Sequence, residues 1–373
     1  MTSPAPSLPN PSPADRTAMQ QALALARQAI ALTEPNPRVG CVITDTTGRV
    51  LGQGHTQQAG GPHAEVMALR DAAARGEDVR GATAYVTLEP CSHHGRTPPC
   101  CDALVAAGLA RVVAAIEDPN ELVSGRGHAR LRAAGIQVDV GLGGDESREL
   151  NIGFFSRMQR GRPWVRLKAA VSLDGRSALD NGVSQWITGE AARADGHAWR
   201  RRAGAVLTGV GTVRDDNPRL DVRLVDTPRQ PLRVVLDSHL ATPPSARILD
   251  EPGPVLVFTA RADPARADTL RARGAEIVET PGSDGRVDLP AVLRLLGERG
   301  INELHVEAGR TLSGAFVQQR LVDEYLVYLA PKLLGPGRDL ATFGPLTDLG
   351  DAVTLQFHDI ERVGTDLRVL ARP

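Results

Sequence analysis

The stretch that decides the fold is His63-Ala64-Glu65-Val66, followed by Tyr85-Val86-Thr87-Leu88-Glu89-Pro90-Cys91 and then Pro99-Cys100. Residues 63–75 carry helical patterning behind a Gly60-Gly61-Pro62 breaker, residues 82–88 read as a strand, and a further helix follows over 101–108 with Cys100 at its start. Helix, strand and helix in this order are the unit of a layered α/β sheet. The same three junctions carry one imidazole and two thiols. Those groups close three corners of a zinc tetrahedron and leave the fourth for water. A helix start favours thiolate over thiol, the form that zinc needs. Glu65, two residues past His63, is placed to move protons without ligating.

Working outward, residues 14–32 show apolar positions at helical spacing, with Asp15 as the expected N-cap. Asn36-Pro37-Arg38 breaks that helix. A strand at 39–43 turns through 45–48 into a partner at 49–54. Strands at 111–116 and 137–140 flank a helix at 127–134. The pattern restarts near Arg160-Gly161-Arg162-Pro163, with a strand at 164–171, a helix at 191–202, and strands at 205–208, 232–236, 255–259, 304–307 and 323–329. The expected boundary lies at 150–163. The organisation is then a disordered Pro-rich tail over 1–13, a first domain over 14–160 and a second over 161–373.

A chain of 373 residues suits two domains better than one. Aromatic residues make up 3%, too few for stacking platforms, and the net charge of −1 offers no basic footprint for a polyanion. A small-molecule substrate is expected, and nucleic acid is not. No run approaches the roughly 20 apolar residues that span a bilayer, and the N-terminus lacks the apolar core of a secretory signal. The expected setting is the cytoplasm, where four cysteines in a long chain point to metal rather than to disulfides. Cys41 in its apolar strand and Cys101 beside Cys100 read as core.

The parts list matches the H-x-E…P-C…C signature of zinc deaminases, which attack an amino-substituted ring carbon. Nucleoside and tRNA deaminases have two residues between the thiols. Here eight intervene, Ser92 to Pro99, with histidines and an arginine that suit an anionic substrate. A nucleoside or tRNA deaminase with an appended nucleotide-binding domain is the alternative reading. In the second half, Gly209-Val210-Gly211 and the run from Glu307 to Ala315 are strand-to-glycine junctions of the kind that cradle phosphates. The dinucleotide fingerprint fails there, because Arg214 stands where its third glycine belongs.

These motifs closely resemble the bifunctional riboflavin-biosynthesis deaminase/reductase family. The first half carries the resemblance in the stretch quoted above, with its Ser92-to-Pro99 insertion. The second half carries it in residues 167–176, Ser184-Gln185-Trp186-Ile187-Thr188, Gly211-Thr212-Val213 with Asp216-Asn217-Pro218, and Ala330-Pro331-Lys332-Leu333-Leu334-Gly335. The resemblance implies a cytidine-deaminase-like sheet that deaminates a diaminohydroxypyrimidine bearing a phosphoribosylamino group. It implies His63, Cys91 and Cys100 as zinc ligands, Glu65 as proton carrier, and substrate contacts from Asn36, His55, His93, Arg96 and Asp118. It implies a dihydrofolate-reductase-like second domain that uses NADPH to reduce the ribose to a ribityl chain. Cofactor contacts would fall on Ala170, Trp186, Thr212, Asp216, Ser238, Gly309, Arg310, Thr311, Leu312, Ser313, Gly314 and Ala315. Substrate contacts would fall on Lys168, Ser184, Arg200, Leu220, Arg223 and Glu307, with Lys168 also catalytic. Arg200 and Arg223 suit clamps on a sugar phosphate. A charge on Lys168, in an apolar strand, calls for a partner. A homo-oligomer is expected.

Overall fold

A computed structural model of the chain describes residues 11–93, 98–120, 123–250 and 252–373. It divides into two compact units, one ending at Arg160 and one beginning at Gly161. No helix among the described residues is long and apolar enough to cross a membrane.

The first unit opens with α1 (Pro13–Gln28). Its N-cap is Ser12 rather than Asp15. Ser12 Oγ accepts the Asp15 N–H while the Asp15 carboxylate accepts the Ser12 N–H, a reciprocal capping box with Pro13 at the first helical position. The expected tail therefore stops short of Pro13, and residues 1–10 lie outside those described. The hairpin β1 (Gly40–Thr44) and β2 (Val50–His55) leads to α2 (Ala64–Ala74) and β3 (Thr83–Val86). Then come α3 (Cys100–Ala106), β4 (Arg111–Ala114), α4 (Arg126–Ala133) and β5 (Gln137–Val140). The sheet order is β2-β1-β3-β4-β5, antiparallel about β1 and parallel from β3 onward. Side chains alternate across it. Val42, Tyr85 and Val113 pack under Met19 and Leu23 of α1. Cys41, Ile43, Ala84, Val86 and Val112 face Ala64, Ala68, Leu104 and Leu131 on the other side. Period-2 strands between helical layers thus put each element's apolar stripe inside.

The segment expected as a boundary is helical. α5 (Gly144–Leu150) and α6 (Ile152–Arg160) occupy it, and Phe154 and Phe155 pack into the same core. Two buried aromatics on one turn hold this stretch in the domain, whatever its charge-rich sequence suggests.

The second unit runs β6 (Trp164–Ser172), β7 (Arg176–Leu179), α7 (Glu190–Arg202), β8 (Ala205–Gly209), α8 (Val210–Asp216), β9 (Leu232–Leu236) and β10 (Val255–Thr259). It continues α9 (Pro264–Ala272), β11 (Ala275–Glu279), α10 (Leu289–Glu298), β12 (Glu303–Val306), α11 (Arg310–Gln318), β13 (Glu324–Ala330), β14 (Gly337–Asp339), β15 (Gln356–Val363) and β16 (Asp366–Arg372). Among the described residues nine strands form one sheet in the order β11-β10-β9-β8-β12-β6-β13-β16-β15, and β14 pairs with β7 in a small second sheet. From β11 to β13 the ladder is parallel, and β13, β16 and β15 are antiparallel. The strands in the middle are buried on both faces, as expected of covered parallel strands, and among their apolar residues β6 carries Arg166, β9 Arg233 and β12 Glu303 and His305. Their carboxyl ends converge on the second site.

Candidate active sites

In the first unit, three element junctions meet. His63 is the N-cap residue of α2, Cys91 follows β3, and Cys100 is the first residue of α3. Their ligating atoms lie within 4.8 Å of one another. His63 Nδ1 stands 3.6 Å from Cys91 Sγ and 3.3 Å from Cys100 Sγ, and the Cys100 N–H donates to Cys91 Sγ at 3.3 Å. Hydrogen bonds to Cys100 and His63 lower the Cys91 thiol's pKa. The Cys91 sulfur and burial raise that of Cys100. One thiol therefore ionises at the other's expense, and a divalent cation relieves that opposition. This N/S donor set, three ligands at short range, fits zinc with an open position. Glu65, 3% exposed on α2, is pushed up to about 7, first by burial and then by Cys91. A carboxyl poised there can take and give a proton near neutral pH.

Around this centre, Asn36 is half-buried in the turn between α1 and β1, where its N–H donates to Thr33 O at 2.9 Å. His55 ends β2, its Nδ1 3.1 Å from Thr56 O. Asp118, 8% exposed, is pushed up to about 7 by burial, with Glu89 and Cys91 adding to the rise. His93 is exposed, and Arg96 lies outside the described residues. Cys101 turns away, its thiol donating to Pro90 O at 3.2 Å.

In the second unit, two cavities share a wall. The larger, about 1220 Å³, is lined by Ala170, Gly209, Thr212, Asp216 and Ser238, and by Gly309, Arg310, Thr311, Leu312 and Ala315. The smaller, about 790 Å³, is lined by Trp186, His197, Arg200, Leu220 and Arg223. Lys168, Ala170, Ser184, Thr212, Asp216 and Glu307 line both. Glu307 is the hub. It takes two hydrogen bonds from Arg200, at 2.5 and 2.9 Å, and stands 3.7 Å from Lys168 Nζ. Burial would raise its pKa, but Arg200 and Lys168 outweigh burial and hold it well below the ordinary range.

Some expected contacts stand elsewhere. Ser313 and Gly314 do not line the larger cavity. Ser313 Oγ donates to Ala308 O at 3.2 Å, and a Cβ at Gly314 would collide with Thr342 O. On a helix of 3.6 residues per turn, only part of the Gly309–Ala315 run can face a cavity. Trp186 lines the smaller cavity, with the expected substrate residues, not the larger. Arg200 is no free clamp, since three of its donors are committed to Glu307 and Asp221 O. Sequence reasoning missed His197, whose Nδ1 accepts the Arg223 N–H at 3.2 Å in the smaller cavity wall. Its only sequence signal was its position one helical turn before Arg200.

Comparison with known proteins agrees with this geometry. Residues 12–116 match the cytidine and deoxycytidylate deaminase zinc-binding region, and residues 163–369 match the RibD C-terminal domain. The fold and first site thus define a zinc deaminase joined to a dihydrofolate-reductase-like reductase. Riboflavin biosynthesis protein RibD of Escherichia coli is 47% identical over 367 residues, covering 95% of this chain and 98% of that protein. RibD of Aquifex aeolicus is 42% identical over 354 residues, 95% of this chain and 97% of the other. Acinetobacter baumannii RibD has a TM-score of 0.87 at 41% identity, covering 96% and 99%. A Thermotoga maritima diaminohydroxyphosphoribosylaminopyrimidine deaminase/5-amino-6-(5-phosphoribosylamino)uracil reductase has 0.86 at 35% identity, covering 96% and 99%. The chain belongs to the RibD family, the bifunctional deaminase/reductases of riboflavin biosynthesis.

Proposed function

We propose that the unit ending at Arg160 deaminates 2,5-diamino-6-(5-phosphoribosylamino)pyrimidin-4-one. The unit beginning at Gly161 then reduces the ribose of the resulting aminouracil to ribityl with NADPH. The observation that carries the reading is the His63, Cys91 and Cys100 cluster beside buried Glu65, in a chain that matches a relative over 95% of its own length. His63, Cys91 and Cys100 would hold zinc, which when bound lowers the pKa of water and polarises the reacting carbon. Glu65 accepts a proton from the attacking water and returns it to the departing ammonia. Asn36, His55, His93, Arg96 and Asp118 orient the pyrimidine and its sugar phosphate.

In the second unit Ala170, Thr212, Asp216, Ser238 and the start of α11 would hold NADPH, which supplies a hydride when bound. The larger cavity has room for a dinucleotide, and Arg286 and Arg310 in its lining would meet the phosphates, among acidic residues Asp215, Asp216 and Asp284. Ser184, Trp186, Leu220 and Arg223 hold the substrate in the smaller cavity. Lys168, paired with Glu307, is the proton donor to the opened sugar.

We also place the enzyme in the cytoplasm, without nucleic-acid partners, as a homo-oligomer. Support for assembly comes from β15, one of the two edge strands of the sheet, where Phe357 is 75% and Ile360 53% exposed. Such an edge calls for a covering partner, and a second copy is the one we infer. Light scattering on the wild type and on Phe357→Asp/Ile360→Asp tests it, a wild-type monomer overturning the inference.

The deciding experiment is a coupled assay with the aminopyrimidine phosphate, with and without NADPH, following ammonia and nicotinamide absorbance. Ammonia should appear without NADPH, and NADPH should be consumed only after deamination. Glu65→Ala should lose ammonia release yet reduce supplied aminouracil substrate, and Lys168→Ala should do the reverse. Equal loss of both activities in either variant would overturn separate sites.

A further inference from the structure

Glu89 has no part in the roles above, yet four N–H groups converge on its buried carboxylate. It is 3% exposed, between β3 and the ligand Cys91. Its partners are backbone amides. Oε2 accepts the N–H of Asp118 at 3.2 Å and of Gly125 at 2.9 Å, and Oε1 accepts the N–H of Gly127 at 2.9 Å and of His128 at 3.3 Å. Asp118 follows β4, and Gly125 to His128 form the start of α4. One carboxylate therefore gathers both ends of the segment that joins these elements.

The backbones meet at the same place. A Cβ at Gly127 would collide with Pro90 O, so only glycine lets α4 approach the Pro90–Cys91 turn. The Cys101 thiol donates to both Pro90 O, at 3.2 Å, and Gly127 O, at 3.6 Å. The Glu89 N–H donates to Ile116 O at 3.0 Å. Glu89 thus links the residue before the ligand turn to the segment that carries Asp118. The Asp118 carboxylate is itself oriented, Oδ1 accepting the Asn120 N–H at 2.8 Å.

We propose that Glu89 is a positioning residue of the deaminase centre: by holding the Asp118 amide and the start of α4, it fixes the backbone that presents Asp118 for substrate binding. The inference rests on the reading of Asp118 as a substrate contact. Four converging N–H donors need an acceptor-only group with two oxygens, which a carboxylate is and a carboxamide is not. Glu89→Gln keeps the volume but turns an NH₂ against amide donors.

The test uses the full-length protein with zinc bound, measuring kcat and KM for ammonia release in the wild type, Glu89→Gln, Gly127→Ala, Asp118→Asn and the double variant Glu89→Gln/Asp118→Asn. Glu89→Gln should raise KM on the order of 10-fold, with a smaller change in kcat. Zinc content and NADPH-dependent reduction of supplied aminouracil substrate should stay at wild-type values. Asp118→Asn should also raise KM, and adding Glu89→Gln to it should change KM little further, because both act through one contact. Hydrogen exchange should quicken at Gly125 to His128 in Glu89→Gln and Gly127→Ala, a readout independent of turnover. Wild-type KM in Glu89→Gln would sink the proposal, as would fully multiplicative effects in the double variant or an Asp118→Asn variant with unaltered KM. A wild-type protein that releases no ammonia would instead sink the functional reading itself.

Discussion

Arg200 and Glu307 form a two-point ion pair, Nε to Oε1 at 2.5 Å and Nη2 to Oε2 at 2.9 Å, on the wall between the two cavities of the second unit. Arg200 comes from the last turn of α7 and Glu307 from the residue after β12. Guanidinium and carboxylate planes match bidentately, so the pair fixes the carboxylate as well as neutralising it. Lys168, on β6 beside β12, faces a carboxylate already oriented.

Glu307→Gln should therefore do more than remove one charge. It keeps the shape, breaks the match to Arg200 and leaves Lys168 without its anion. The expected result is a loss of reduction of about 100-fold with unchanged ammonia release, in the range found when a partner that orients a functional group is removed. Parallel steady-state assays of the two half-reactions check this. Unchanged NADPH oxidation would show that Glu307 neither binds substrate nor orients Lys168.

Much of this was legible in the sequence, and unevenly so. The strands 137–140, 232–236 and 255–259 match to the residue, since short β-patterned segments rich in Val and bounded by breakers leave little freedom. The helices α5 and α6 were missed because Arg148, Glu149, Arg157 and Arg160 hide a two-phenylalanine anchor. The edge strand β15 was missed because exposed residues carry no core alternation. At the first site, fixed spacing places His63, Cys91 and Cys100, but Glu89's role depends on amides about 30 or more positions away. At the second, the partners of Arg200 could not be read from charge alone, since Arg201 and Arg202 offer the same residue type.

The amino-terminal cap ties α1 to the sheet. Ser12→Ala removes one half of the capping box and should cost about 1 kcal/mol. Asp15→Ala should cost more, about 3 kcal/mol, because it also strips Tyr85 Oη of a 2.7 Å acceptor and Arg111 of a 2.6 Å partner in a buried setting. All three tryptophans lie in the second unit, so hydrogen exchange at β3 and β4 is the appropriate measure. Equal costs for the two variants would mean that the Tyr85 and Arg111 contacts contribute nothing.

His128 makes the first unit acid-sensitive. It is 1% exposed on α4, and burial lowers its pKa from 6.5 to about 4, against the pull of Glu117 at 3.8 Å. The unfolded chain takes up this proton first, so the stabilisation is complete above pH 6.5 and is lost as pH falls toward 4. The whole difference is on the order of 3 kcal/mol. Replacing His128 with Phe should flatten the stability of this unit over that window, read by exchange at β4 or by denaturant titration of Tyr85. A slope unchanged by the substitution would place the acid sensitivity elsewhere.

The second unit carries a buried ionic cluster behind its sheet. Arg166, 1% exposed, bonds Glu303 at 2.9 Å and Glu324 at 2.5 Å, while Arg202 reaches Glu303 at 2.7 Å and Arg372 reaches Glu324 at 2.7 Å. The Arg166 guanidinium lies 4.4 Å from the centroid of the Trp199 ring. Such a cluster gives little net stability over an apolar core, but removing Glu303 leaves three buried or half-buried arginines against Glu324 alone. Glu303→Ala should therefore cost about 3–5 kcal/mol, and Glu303→Met/Arg166→Met, which removes both partners, should cost less than the single change. Tryptophan fluorescence during denaturant unfolding measures this directly, since Trp199 packs on the cluster. If the double variant is the less stable of the two, the pair contributes through attraction and not only by balancing the buried positive charge of the cluster.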